Sequence, residues 1–272
     1  VNAGWICAAC GNHYPAAAAP PASCLICTDE RQWVAPAGQR WTTMAELAAA
    51  GGQCEIWAEE PGLLGVGVNP PVGIGQRGLI VITPAGNLLW DPPGYLDERA
   101  VRRVREAGGL RAVTASHPHF YGAMAGWSRA FGADILVPEA DASWVTSPDP
   151  AIRTWAAREP VLPGVTLVQC GGHFPGSAVV HWAGGANGAG VLLTGDTIFV
   201  TPGEDRITFV WSAPNRLPLP ESAVRGIVSA VSPFPFDRIY GGWAPTIRSG
   251  ARRVLESSAD RYIQFLRGDA PV

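Results

Sequence analysis

The sequence predicts a layered α/β domain preceded by a small four-cysteine module. Three observations predict it. Short apolar strands alternate with amphipathic helices in both halves of the chain, the pattern of sheets covered by helices. Apolar residues make up 47% of the 272 residues and charged ones 16%, so a sizeable core can be buried and wholesale disorder is excluded. Four of the six cysteines (Cys7, Cys10, Cys24 and Cys27) are grouped near the start, while Cys54 and Cys170 stand alone.

The grouped cysteines read C-x2-C, thirteen residues, C-x2-C. Two thiolates two residues apart on a tight turn grip one metal ion, and two such turns complete a tetrahedron that suits zinc. Gly11 follows the first pair, where a metal knuckle often needs a residue without a β-carbon. The same count would serve two disulfides in a secreted module. No basic stretch followed by an apolar run stands near Val1, so no secretory signal is expected and metal is favoured. Iron in a rubredoxin-like site is the alternative to zinc. His13 could replace a ligand, but four thiols suffice. The Ala/Pro-rich stretch between the pairs offers little core, so metal binding would supply the folding energy. Cys54 and Cys170 read as buried thiols. The module is expected over residues 1–36, ending at the linker-like Ala35-Pro36-Ala37-Gly38, with the main domain over 37–272.

Thr43 and Glu46 resemble a capping box opening a short helix that stops at Gly51-Gly52. Residues 54–90 have β texture, with Pro84-Ala85-Gly86-Asn87 as a hairpin turn. A helix over 96–107 places Leu96, Ala100, Val101 and Val104 on one face and ends at Gly108-Gly109. A strand over 111–116, a helix over 122–131 and a strand over 134–138 follow. Strands near 165–170, 177–182 and 190–194 form a second β cluster. Helices near 220–231 and 249–266 bracket a last strand over 237–242. Gly73, Gly75 and Gly78 spell G-x-G-x-x-G, but they precede a strand instead of opening a helix, so they read as a turn and not a nucleotide site.

The composition also excludes function classes. The net charge of −3 offers no broad basic surface to nucleic acid or anionic lipid. All 20 basic residues are arginine, which removes Schiff-base chemistry and a P-loop lysine. No apolar run approaches the roughly 18 residues needed to span a bilayer. A cytoplasmic location is expected.

Chemistry concentrates at the histidines. His117 and His119 flank Pro118, and in an extended segment residues two apart point the same way. His173 lies between Gly171-Gly172 and Pro175-Gly176, in a sharp loop. Asp196 ends the apolar strand Val191-Leu192-Leu193-Thr194, at the mouth of a sheet. Each alone is an ordinary structural residue; the joint arrangement is not.

At these residues the chain resembles the metallo-β-lactamase fold superfamily, over roughly residues 56–265. Ser116-His117-Pro118-His119-Phe120-Tyr121-Gly122 stands where that family has H-x-H-x-D-H. Gly171-Gly172-His173-Phe174-Pro175-Gly176-Ser177 resembles the third-histidine loop, and Leu193-Thr194-Gly195-Asp196-Thr197 the bridging-aspartate motif. Asn87-Leu88-Leu89-Trp90-Asp91 resembles the early strand whose aspartate stands behind the metal. The resemblance implies a four-layered αββα sandwich. The departures are Tyr121 for the family's aspartate, Gly122 for its next histidine, and Tyr240-Gly241-Gly242-Trp243 for its final histidine turn. A second metal site would lack three ligands.

What the resemblance then implies is one metal on His117, His119 and His173, with Asp196 as fourth ligand or as anchor of the bound water. Zinc is expected there, with iron or manganese as alternatives. The expected activity is a mononuclear hydrolase whose metal-bound hydroxide attacks an ester, thioester, lactone or related small substrate. Asp196 would also orient the nucleophile. Tyr121 would either donate a hydrogen bond to an oxyanion or leaving group, or serve as aromatic wall. Trp127, Trp211, Trp243 and Arg248 are the expected substrate contacts. Two other readings stand: an Fe(II) oxidoreductase similar to sulfur dioxygenases, with the module as an electron-transfer centre, and a non-catalytic metal-binding platform for a partner. The expected partners are a small-molecule substrate, a protein docking through the ribbon, and a second copy of the chain; neither nucleic acid nor membrane is expected.

Overall fold

The computed structural model describes residues 4–270. A small sheet comes first, made of β1 (Gly4–Cys7), β2 (His13–Ala16) and β3 (Trp41–Thr42) in the order β2-β1-β3. It takes its third strand from beyond residue 36. Helix α1 (Met44–Ala49) is closed by the capping box: Glu46 N donates to Thr43 Oγ1 at 3.2 Å, and Thr43 N donates to Glu46 Oε2 at 3.0 Å.

An antiparallel meander follows: β4 (Gln53–Glu60), β5 (Leu63–Asn69), β6 (Gly78–Thr83) and β7 (Gly86–Trp90). Helix α2 (Glu98–Glu106) leads to β8 (Ala112–Thr114), and α3 (Met124–Phe131) to β9 (Asp134–Pro138) and β10 (Ile152–Trp155). These last three strands run parallel to β7, giving a seven-stranded sheet ordered β10-β9-β8-β7-β6-β5-β4.

The second sheet begins with β11 (Arg158–Leu162), β12 (Val165–Gln169), β13 (Ala178–Trp182) and β14 (Val191–Gly195), all antiparallel. Two short hairpins intervene, β15 (Phe199–Val200) with β16 (Ile207–Thr208), and β17 (Val210–Ser212) with β18 (Leu217–Pro218). After α4 (Glu221–Val231), β19 (Arg238–Gly241) joins β14 in parallel and β20 (Thr246–Ile247) closes the sheet. Helix α5 (Ala251–Arg267) ends the fold.

Strand alternation builds four layers, as expected. Successive side chains on a strand point to opposite faces. In β6, Leu79 and Val81 enter the core between the sheets while Ile80 faces α2 and α3. In β14, Val191 and Leu193 enter that same inter-sheet core while Leu192 faces α4 and α5. The order is therefore helices, sheet, sheet, helices. No helix among the described residues is long and apolar enough to cross a membrane.

The structure departs from the pattern reading where the pattern is weakest. β10 and β11 were not expected; both are edge strands. Edge strands are half solvated and need no apolar run, and an edge tolerates Pro160 within β11. The hairpin turn is shorter than expected: Thr83 already pairs with Gly86, leaving Pro84-Ala85 as the loop. The G-x-G-x-x-G segment is a turn entering β6, and Gly73 packs against the Cys10–Gly11 backbone of the module.

Candidate metal centres

The four cysteines of the module converge. Their Sγ atoms lie within 4.8 Å of one another, with Cys7 and Cys27 at 3.5 Å and Cys10 and Cys24 at 3.6 Å. Tetrahedral Zn–S bonds of about 2.3 Å would set sulfurs about 3.8 Å apart, so the cage fits a metal. All six cysteines are free thiols, which removes the disulfide alternative. The sulfurs have polar neighbours: Gln39 Nε2 donates to Cys7 Sγ at 3.0 Å, Tyr14 Oη to Cys24 Sγ at 3.2 Å and Asn12 Nδ2 to Cys10 Sγ at 3.5 Å. Hydrogen bonds from the other thiols hold Cys7 far below the ordinary thiol range, whereas Cys10 is driven well above it, first by Cys24. Four packed thiols cannot all ionise without a cation among them. His13 is not part of this cage; its Nε2 meets Gly94 O at 2.8 Å.

The second centre is assembled from three strand ends. His117 follows β8 in extended backbone, but His119 lies in a 3-10 turn over Pro118–Phe120. The imidazoles therefore converge through a turn and not through strand alternation, which corrects the expected extended geometry. His173 comes from the β12–β13 loop and Asp196 from the residue after β14. Ring centroids lie 4.7 Å apart for His117–His119, 4.8 Å for His117–His173 and 5.2 Å for His119–His173. One donor atom from each histidine and from Asp196 falls within a 4.8 Å cluster.

The donor set fits a metal. All four residues are buried, yet the Nε2 atoms of His117, His119 and His173 and Asp196 Oδ1 have no hydrogen-bond partner. Buried polar atoms normally find one. His117 Nε2 lies 3.5 Å from Asp196 Oδ2, and tetrahedral bonds of about 2.0–2.1 Å would set ligands about 3.4 Å apart. The opposite ring nitrogens are engaged in two cases: His117 Nδ1 with Ser116 Oγ and His173 Nδ1 with Trp211 O, both at 2.8 Å. A carbonyl only accepts, so His173 carries its proton on Nδ1 and leaves Nε2 as a lone pair.

Burial sets the charges. It pushes His117 and His119 well below the usual histidine range and His173 to about 4, so all three are neutral, the form that binds metal. Burial, then the nearby Asp91, drives Asp196 well above the carboxylate range. A cation among these donors would reverse that.

Asp91 stands behind Ser116 and not against an imidazole. Its Oδ1 accepts from Ser116 N at 2.6 Å, and Ser116 Oγ meets His117. Asp91 is held at φ 52°, a left-handed conformation that non-glycine residues seldom adopt. Gly195 makes room for this pair: a β-carbon there would collide with Ser116 Oγ and stand 2.8 Å from Asp91 Oδ2.

The other expected site residues are scattered. Tyr121 is buried with no partner for its hydroxyl, and burial, then Asp141 and Asp91, raise it well above its ordinary range, so it stays protonated. Trp127 is a core residue, its Nε1 donating to Pro93 O at 3.2 Å. Trp211 contributes its carbonyl to His173. Trp243 stacks on Phe199 and lines a small recess with Gly195 and Gly242, beside Asp196. Arg248 is exposed, 3.8 Å from Glu204. His181 is tied to Pro235 O at 2.8 Å.

Sequence reasoning missed what covers the centre. Gly122, where the family has a histidine, faces the module: a β-carbon there would strike Asn12 Cα and His13 N. Asn12 Nδ2 donates to His119 O at 2.7 Å, and Arg31 Nη1 to His173 O at 2.8 Å. Arg31 lies 3.6 Å over the Phe174 ring and pairs with Asp29 at 2.6 Å. Asp141, with both carboxylate oxygens unpartnered, sits against Gly176 of the His173 loop. None of these carries a sequence signal beyond lying next to a cysteine pair or a strand end.

No family model matches the chain. It is 39% identical over 267 residues to the uncharacterized protein YmaE of Bacillus subtilis strain 168, covering 97% of each chain. Among solved structures it is similar to VMB-1 at pH 5.5, with a TM-score of 0.58 and 12% identity over 79% of this chain and 98% of that one. It is also similar to the metallo-β-lactamase FIM-1 from Pseudomonas aeruginosa in its mono-zinc form, with a TM-score of 0.56 and 16% identity over 80% of this chain and 97% of that one. At such identities the likeness shows the metallo-β-lactamase fold and nothing finer.

Proposed function

Because this chain belongs to one family with Bacillus subtilis YmaE and has the metallo-β-lactamase fold, we propose that it is a metal-dependent hydrolase working from a single metal ion, zinc in the first instance. One observation carries the reading: three buried Nε2 atoms and Asp196 Oδ1 converge without partners. His117, His119, His173 and Asp196 would hold a divalent ion, which would supply Lewis acidity and lower the pKa of a bound water to about 7. The chain's own residues prepare that site. Ser116 orients His117, and Trp211 O fixes the tautomer of His173. Tyr121, held protonated, is in the form that donates a hydrogen bond and does not act as a base. The small recess beside Asp196, with Trp243 on its wall, is the side from which an ester, thioester or lactone would approach once it opens further. A single ion is supported by supply: the four cysteines and the three histidines with Asp196 are the two clusters of three or more donors among the described residues. The free thiols favour a reducing compartment such as the cytoplasm.

A second reading is favoured by burial. His117 is 0% exposed, His119 3% and His173 1%, so a non-catalytic metal-binding protein of the same fold is the competitor. The test is elemental analysis of the metal at the histidine centre, followed by a panel of esters, thioesters and lactones. Metal-dependent turnover lost in His119→Ala supports the hydrolase. A fully loaded protein that hydrolyses none of them supports the competitor, and oxygen uptake with bound iron would favour an oxidoreductase.

A further inference from the structure

Each cysteine pair of the module is followed by one arm that reaches the histidine centre. Beyond Cys7 and Cys10 comes Asn12, only 1% exposed. Its single Nδ2 group donates both to Cys10 Sγ at 3.5 Å and to His119 O at 2.7 Å. Beyond Cys24 and Cys27 comes Arg31, clamped by Asp29 through Nε at 2.6 Å and Nη2 at 2.7 Å. Its remaining nitrogen, Nη1, donates to His173 O at 2.8 Å, and the guanidinium covers Phe174. Two of the three histidines thus have their main-chain carbonyls held by the module. Glu30 O makes a separate contact with the main domain, accepting from Ser212 Oγ at 2.9 Å and Asn215 Nδ2 at 2.8 Å, and this contact touches neither the Arg31 side chain nor a histidine.

We propose that Asn12 and Arg31 are positioning residues that couple the two metal centres, so that loading the four-cysteine site tightens metal binding by His117, His119, His173 and Asp196. The physical reason is the module's construction. Its buried cluster consists of Cys7, Cys10, Cys24 and Ile26, so without a metal it has little to hold it together. Asn12 then loses its thiolate partner, Arg31 loses its fixed base, and the His119 and His173 backbones lose their ties. Fixing a ligand's orientation is commonly worth 10–100-fold in metal affinity. Coupling of this kind is reciprocal, so a metal at the histidine centre equally tightens the cysteine site. The inference rests on both donor sets taking metal; it does not rest on hydrolysis.

The probe is Co(II) alone, titrated into reduced, metal-free, full-length protein without air. Thiolate-to-cobalt absorption in the near ultraviolet reports the cysteine site, and the histidine centre is read from the visible bands after subtracting those of a His119→Ala variant, which loads the cysteine site alone. Wild type is expected to load both. Asn12→Ala and Arg31→Met are expected to keep the thiolate absorption and to lose about tenfold in affinity at the histidine centre. The Cys7→Ser/Cys24→Ser double variant, with its cysteine site emptied, is expected to lose at least as much. Adding Asn12→Ala to that double variant should cost nothing more, because residues acting through one link are not additive. Asn215→Ala, which removes a module contact that touches no histidine, separates coupling from mere anchoring and should change the affinity less than twofold. Unchanged affinity in Asn12→Ala, additive losses, or an equal loss in Asn215→Ala would each overturn the proposal. A wild type that binds cobalt at only one site overturns it together with the metal reading. Since no step measures turnover, failure of the hydrolase reading leaves a separate signature.

Discussion

The two donor clusters are built in opposite ways. The cysteine cage comes from two short turns within one small module, and among the described residues Ile26 is the one fully buried member of its cluster besides the cysteines, with Tyr14, Trp41 and Trp144 packed partly against it. The histidine centre draws on strand ends of both large sheets, whose inter-sheet core includes Leu79, Val81, Leu88, Val180, Val191 and Leu193. In the first, the metal would hold the fold; in the second, the fold holds the ligands. The rings are held by their neighbours, His117 against Phe120 and Ser116 Oγ and His173 by Trp211 O, while their Nε2 atoms stay without a protein partner.

The largest effect that could break this contrast is chelation. Structural zinc is worth about 10–16 kcal/mol in small modules. Stripping all metal should therefore abolish amide-exchange protection in β1 and β2 while β6, β7, β13 and β14 stay protected. Loss of protection in both regions, or in neither, would end the distinction. A smaller effect is expected of Gly122→His, which restores the family's residue. The added side chain meets the Asn12–His13 backbone, so about 3 kcal/mol of stability should be lost, as in overpacked cores. Metal content by elemental analysis should not rise. A stable variant with a second ion at the histidine centre would mean that the module yields easily.

Ser116→Ala should act on the metal and hardly on the fold. It removes the partner of His117 Nδ1, so affinity at the histidine centre should fall about tenfold, measured by competition with a chelator. Tyr121→Phe is expected to do least. Its hydroxyl is buried without a partner, and removing such a group is nearly neutral or stabilising by about 1 kcal/mol. Thermal unfolding should show an unchanged or slightly higher midpoint, and a marked drop would reveal a partner for that hydroxyl.

Much of this molecule is legible along the chain. The cysteine spacing specifies its cage because both knuckles are local. Leu79–Thr83 and Val191–Thr194 announce buried strands because each faces apolar layers on both sides. The ends of those strands and the glycines around His173 mark where ligands leave the sheets. The edge strands β10 and β11 were not legible, since a half-solvated strand needs no apolar pattern. Trp127 and Arg248 could not be separated from site residues by type alone; one is core and the other is exposed.

Residue types and spacing alone say which side chains offer metal donors and locate the losses at Tyr121 and Gly122. What stands in place of those losses is set by tertiary packing. Gly122 is glycine because the module's backbone lies against it, and His119 is held by Asn12, a residue 107 positions earlier in the chain. Such contacts leave no periodic trace. A donor set is written in residue types and spacing, but the packing of one unit against another depends on surfaces that meet only once both have folded.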